Sequence, residues 1–226
     1  MTTASAIIVA AGRGKRMGSE MRKGFLPLAG RPLFVHAAEA FARAAWTDEL
    51  ILVVHEADVD AARSAVETIA PDAIVVQGGL TRRDSSLAGV RAASGEIILI
   101  HDGCRPFVDA GLIERVVDGA RRHGAAVPVL PTVETLYSMS GNAGCVQRIV
   151  DRSEIVRAQT PQGFRRSLIL RCLEAADPGI TDDASAVIAC GESVATVPGG
   201  AVNLKVTYPS DLRWAEAWIE SADDLA

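Results

Sequence analysis

The sequence predicts an α/β fold: three layers, αβα, built on a mostly parallel sheet, with a β-hairpin arm projecting from it. Three observations predict it. Short, wholly apolar runs recur through the first half of the chain, as strands covered on both faces do. Between them lie stretches with apolar residues at helical spacing, and strand–helix–strand repetition implies a parallel sheet with helices on both faces. After Pro131 this alternation stops, and two strand-like pieces flank a glycine-bearing turn.

The elements follow in order. Ala6–Ala10 is the first strand and stops at Gly12. The turn Ala29-Gly30-Arg31-Pro32 leads to a helix over Pro32–Ala45, with Leu33, His36, Ala37 and Phe41 along one stripe. Leu50–Val54 is a strand, Val59–Ile69 a helix and Ala73–Val76 a strand. Gly78-Gly79 turns into a helix over Arg82–Ala93, and Ser94-Gly95 into a strand over Ile97–Ile100. Ala110–His123 is a helix and Ala125–Val129 a strand.

Thr135–Ser138 and Cys145–Val150, around Ser140-Gly141-Asn142-Ala143-Gly144, read as the hairpin. A two-stranded arm cannot bury itself, so it is expected to pack on another surface, that of a second subunit. Helices over Ser167–Ala175 and Thr181–Cys190, a strand over Ser193–Val197 and a helix over Ser210–Ile219 complete the chain. Thr181, Asp182 and Asp183 are good helix-start residues in their own right. One domain is expected over residues 1–226, with 132–160 as the arm.

Composition excludes several classes. Of 226 residues 49% are hydrophobic, which supports a sizeable core. A net charge of −5 argues against a general nucleic-acid binder. No apolar run approaches the length of a membrane span, and no signal peptide is recognisable, so a cytoplasmic location is expected. Cys104, Cys145, Cys172 and Cys190 lack zinc or disulfide spacing.

Against that acidic background, Arg13, Lys15, Arg16, Arg22 and Lys23 crowd the loop after the first strand. A glycine-bearing turn at that place suits a phosphate. Neither common template fits: Met17 stands where a dinucleotide fingerprint needs its third glycine, and a P-loop fails likewise. The cationic loop suits a nucleoside triphosphate, with part of the charge as solvated surface. A second group, His101-Asp102-Gly103-Cys104-Arg105-Pro106, follows a strand, where α/β sheets bind ligands. Asp102 faces a metal–phosphate complex or a substrate hydroxyl there, or caps a turn. Lys205 reads equally as a functional cation or as an edge-strand lysine pointing to water.

Taken in order, several motifs resemble the 2-C-methyl-D-erythritol 4-phosphate cytidylyltransferase family. They are Ala10-Ala11-Gly12-x-Gly14-x-Arg16-Met17 with Lys23; Gly78-Gly79-x-x-Arg82-x-x-Ser85; His101-Asp102-x-x-Arg105-Pro106; Asp151-Arg152; Gln159-Thr160-Pro161-Gln162; Thr181-Asp182; and Asn203-x-Lys205-Val206-Thr207.

The resemblance implies a Rossmann-like sheet of the nucleotide-diphospho-sugar transferase type. It also implies cytidylyl transfer from CTP to methylerythritol phosphate, releasing pyrophosphate, in non-mevalonate isoprenoid precursor synthesis. It implies Mg²⁺, held mainly by the triphosphate with Asp102 as a candidate ligand, and a homodimer built by the arm. Ala10, Ala11, Gly12, Gly14, Gly79, Arg82 and Ser85 would hold CTP. Arg16, Lys23, Lys205 and Arg152 would be the catalytic cations. Asp102, Arg105, Thr132, Arg152 and Lys205 would hold the sugar phosphate, with Thr132 and Arg152 serving the partner subunit's site. The chain departs from the family pattern at Arg22-Lys23-Gly24, where Pro-Lys-Gln is usual, at Pro131 and Glu134, and at Gly103. A ribitol-5-phosphate cytidylyltransferase, or a catalytically weak nucleotide-binding relative, is the alternative.

Overall fold

The structure is a computed structural model that describes residues 4–12, 21–141 and 144–223. Its sheet grows from near-continuous apolar runs. Strands β1 (Ala4–Val9), β4 (Glu49–Val54), β5 (Ile74–Gln77) and β6 (Ile97–Asp102) pair in parallel, with β1 between β6 and β4. The short β2 (Pro27–Leu28) and β3 (Arg31–Pro32) form a separate hairpin around Ala29-Gly30, the turn expected from sequence. Helices α1 (Leu33–Arg43), α2 (Val59–Val66) and α3 (Arg82–Ala92) make the crossovers. The path from β1 to β4 and β5 runs one way and then returns to β6 on the far side of β1. That reversal opens a crevice at the carboxyl ends of β1 and β6, the place where such sheets bind ligands.

Alternation along each strand sends side chains to two cores. Ala4, Ala6 and Ile8 of β1 face α1, α2 and α4 (Ala110–His123), among Phe34, Phe41 and Val116. Ile7 faces the opposite way, toward Val90 of α3 and toward α5 (Arg166–Ala175) and α6 (Asp183–Ala189). Each fully buried side chain of this size contributes about 1.5–3 kcal/mol relative to exposure. A third cluster seats α7 (Pro209–Asp223) through Ala215 against Leu28 and Val206.

The second half carries what the sequence reading did not find. Gln162–Arg165, placed outside the expected strands, is the buried strand β11, running antiparallel between β6 and β7 (Ala125–Pro131). Its four residues carry no β-branched run, and tertiary position alone makes them a strand. β7 also pairs with β12 (Ala195–Pro198) in parallel and with β10 (Val156–Ala158) antiparallel. The hairpin is a separate two-stranded sheet, β8 (Leu136–Ser140) with β9 (Cys145–Val150), and the chain rejoins the main sheet at β10. Tyr137, Met139, Val146 and Ile149 are exposed on it.

Candidate active site

The crevice at the end of β1 is a cleft of about 520 Å³, lined from several separate segments of the chain. The strand ladder continues into the loops and draws them together. Ala10 N–H donates to Val53 O (2.8 Å), Gly78 N–H to Val54 O (2.7 Å) and Gly103 N–H to Val9 O (3.0 Å). Ala10, Ala11, Gly12, Gly79, Arg82 and Ser85 all line the cleft. At Gly79 a Cβ would run into the Asp84 side chain, so glycine is required by close approach rather than by backbone angle. Ser85 is buried; its hydroxyl donates to Thr81 O at 3.0 Å and accepts from Gly79 N–H at 3.2 Å. Thr81 caps α3, its Oγ1 accepting from Asp84 N–H at 3.1 Å.

Asp102 is the only carboxylate among the described residues lining the cleft. Its Oδ1 accepts from Arg82 Nη1 at 2.5 Å, its Oδ2 from Lys205 Nζ at 2.7 Å, and Arg105 Nε lies 3.7 Å from Oδ2. Burial alone would raise its pKa; Arg82, Lys205 and Arg105 outweigh burial and hold the carboxyl well below the usual carboxylate range. Arg82 also donates to Asp183 Oδ2 through Nη2 (2.6 Å) and Nε (3.2 Å). Burial works against the charge of that guanidinium, and the two carboxylates more than restore it.

Behind Asp102 stands a buried polar network in which Arg105 Nε and Asn203 Oδ1 have no hydrogen-bond partner among the described residues. The Asp102 N–H donates to Thr160 Oγ1 (3.1 Å), which lies 3.1 Å from His101 Nδ1. His101 Nε2 is 3.0 Å from Arg105 O; a carbonyl can only accept, so Nε2 carries the proton and Thr160 donates to Nδ1. Burial depresses the His101 pKa to about 4, so the ring is neutral. Asn203 donates to Thr160 O at 2.7 Å, and its own carbonyl accepts from Arg105 Nη1 at 2.8 Å. Thr160 and Asn203 therefore build the floor beneath Asp102 and do not line the cleft, whereas Lys205, two residues after Asn203, does.

The remaining expected residues divide. Lys23 lines the cleft, its Nζ 3.4 Å from Thr207 Oγ1. Lys205 is no edge-strand lysine: it projects from an irregular segment onto Asp102. Arg105 is buried behind Asp102 and outside the cleft lining. Thr132 and Arg152 stand at the base of the arm, away from the cleft lining; Arg152 Nη1 donates to Val133 O at 2.5 Å. The buried Thr132 hydroxyl has no partner among the described residues. Gly14 and Arg16 lie outside the described residues.

Sequence reasoning missed three contributors. Asp183 was visible only as a helix-start residue, a role that its neighbour Asp182 fills by accepting from Ser185 N–H at 3.0 Å. Asp183 holds Arg82 instead. His55 also lines the cleft with no local pattern to mark it, and so does Cys104, which lies within the second sequence group but was assigned no role there.

A switch-point cleft lined by loop backbone and by the cations Lys23, Arg82 and Lys205 fits a nucleotide-binding α/β enzyme of the transferase kind. Residues 4–221 match the family model for 2-C-methyl-D-erythritol 4-phosphate cytidylyltransferase. Proteins of that name from Cereibacter sphaeroides and Geobacillus kaustophilus are 41% and 40% identical, covering 100% and 96% of both this chain and theirs. A crystal structure of that protein from Thermus thermophilus aligns with TM-score 0.76 and 34% identity over 95% of this chain and 98% of its own. The 4-diphosphocytidyl-2C-methyl-D-erythritol synthase of Anaerococcus prevotii aligns with TM-score 0.85 and 28% identity, over 97% and 96%. The chain belongs to the 2-C-methyl-D-erythritol 4-phosphate cytidylyltransferase family, and is a nucleotidyltransferase.

Proposed function

We propose that this chain transfers a cytidylyl group from CTP to 2-C-methyl-D-erythritol 4-phosphate, releasing pyrophosphate, in isoprenoid precursor synthesis. The observation that carries the reading is one buried carboxylate ringed by Arg82, Lys205 and Arg105 in a cleft that also receives Lys23. The nucleophile is a phosphate monoester whose second pKa is about 6, so it is anionic near neutrality without a general base. The barrier is the approach of one anion to another, and catalysis is positioning with charge neutralisation.

Ala10, Ala11, Gly12 and Gly79 seat the nucleotide, with Arg82 and Ser85 holding the loop around it. Lys23 and Lys205, with Arg16 and Gly14 from the loop motif, meet the triphosphate. Asp102 receives the sugar hydroxyls once Lys205 turns to phosphate, and Arg105 supports it from behind. Thr132 and Arg152 complete the site of a partner subunit, and the exposed apolar face of the arm supports a homodimer. One domain comprises the chain.

Among the described residues no group of three or more acidic, histidine or cysteine side chains could hold a metal. Asp102, the only carboxylate among the described residues lining the cleft, fits Mg²⁺ carried mainly by the nucleotide, the usual pattern for this ion. Bound there, Mg²⁺ would neutralise phosphate charge. No helix among the described residues is long and apolar enough to cross a membrane, and no disulfide forms among them, which suits the cytoplasm.

The test is pyrophosphate release with CTP, UTP, ATP and GTP, each paired with methylerythritol phosphate or ribitol 5-phosphate. Turnover is expected with CTP and methylerythritol phosphate. Faster turnover with ribitol phosphate would overturn the acceptor, and CTP binding without turnover would overturn the activity.

A further inference from the structure

The acid at the start of α2 is turned away from its own helix. Asp58 occupies the N-cap position, where an aspartate ordinarily accepts a hydrogen bond from the first turn. It makes no such bond. Its Oδ2 instead accepts from Arg22 Nε at 2.5 Å, in an ion pair whose side chains are 19% and 25% exposed. Arg22 is the residue that enters the 3-10 turn Lys23–Phe25. Its backbone sits at φ −65°, ψ 139°. Proline imposes that φ, about −65°, by its ring; here an ordinary residue holds it.

The other side of the turn is fixed by packing. Gly24 lies so close to β1 that a Cβ on it would stand 2.9 Å from the Ala10 Cβ. The Phe25 ring meets Phe34 at 4.9 Å between centroids. Lys23 is thus carried between an inner contact and an outer ion pair. Without the outer one, the lysine would hang on a glycine, the residue with the widest backbone freedom. A misplacement of about 1 Å is enough to cost catalysis heavily.

We propose that Arg22 and Asp58 are positioning residues for Lys23: their ion pair ties the Lys23 turn to the loop after β4 and fixes where the ammonium meets the triphosphate. The proposal rests on the reading of Lys23 given above. The bond is made by two side chains from separate loops, at the expense of the cap that Asp58 would otherwise provide.

The experiment measures kcat at saturating CTP and acceptor for Asp58→Asn, Arg22→Gln and Lys23→Ala, singly and combined. Asp58→Asn and Arg22→Gln are each expected to lower kcat about threefold to fivefold, the range open to a partly exposed ion pair. The KM for CTP should change by less than about twofold, because ground-state binding is not what the pair supplies. Arg22→Pro is expected to restore kcat in the Asp58→Asn background. In the Lys23→Ala background, Asp58→Asn should cause no further loss. Normal kcat in Asp58→Asn, or its full loss repeated on top of Lys23→Ala, overturns the proposal while leaving Lys23 in place. Normal kcat in Lys23→Ala overturns the reading of Lys23 and the proposal with it.

Discussion

Asp102 divides its carboxylate between Arg82 on Oδ1 and Lys205 on Oδ2, and the two cations are held differently. Arg82 is 22% exposed and bound a second time by the buried Asp183, whereas Lys205 is 40% exposed and has Asp102 as its ion-pair partner. Lys205 is therefore the cation free to exchange partners, and Arg82 is the fixed one. Asp183→Ala should expose that difference. It leaves a largely buried guanidinium short of one counter-charge, and removal of a buried partner costs about 3–5 kcal/mol. Urea unfolding of Asp183→Ala against the parent checks this, with a loss under about 1 kcal/mol excluding the anchoring role.

Lys23→Ala should lower kcat at least tenfold, equivalent to about 1.4 kcal/mol of transition-state stabilisation. Lys205→Ala should do the same, since both ammonium groups reach the same cleft. Steady-state pyrophosphate release with both substrates saturating is the measurement, and an unchanged kcat removes the residue from the chemistry.

Gly24→Ala should destabilise the protein by about 1–3 kcal/mol, the usual cost of forcing a methyl into filled space. The added carbon would stand 2.9 Å from the Cβ of Ala10, which follows directly on β1, is held to Val53 O by its N–H and has no flexible end to yield. Thermal unfolding checks the stability, and a parallel fall in CTP binding would show that the nucleotide seat moved with Ala10.

Stability should fall as pH drops from 6.5 toward 4. Burial holds His101 at about 4 in the folded chain against 6.5 for the free side chain. Across that window the unfolded chain binds a proton that the folded one refuses, so stability rises with pH and is lost on acidification. The His101 contribution over the window is on the order of 3 kcal/mol. Asp102, held below its ordinary value, acts in the same direction at still lower pH. Melting temperatures between pH 4 and 7 should flatten in His101→Gln; an equal slope in parent and variant would exclude His101 as the source.

On the homodimer proposed above, Ile149→Asp should give a monomer and abolish turnover together. Ile149 stands exposed on β9, where a charge is neutral unless a partner covers it. Light scattering after size exclusion, beside the activity assay, reads both outcomes. A variant that stays dimeric, or an active monomer, contradicts the arm's place in the site.

The layered fold was legible because its signals are local. The apolar runs at β1, β4 and β6 and the helical stripe of α4 each declare themselves within a dozen residues, and the helix Ala110–His123 is found with the same bounds. β11 was not legible, because Gln162–Arg165 becomes a strand only where β6 and β7 leave a gap for it. Likewise Arg22 reads as surface charge until Asp58, far away in sequence, is brought to it.

By itself, then, the sequence determined the class of fold and supplied motifs enough to place the chain in a family. Periodicity and residue type are properties of neighbours along the chain, and they survive without coordinates. The tertiary structure alone decided which charges meet. Asp102 holds Lys205 across more than a hundred residues, and Asp183 rather than Asp182 holds Arg82. Thr160 and Asn203 prove to lie beneath the site and not within it. Electrostatic partnership depends on distance through space and on burial, and neither is written in the order of the residues.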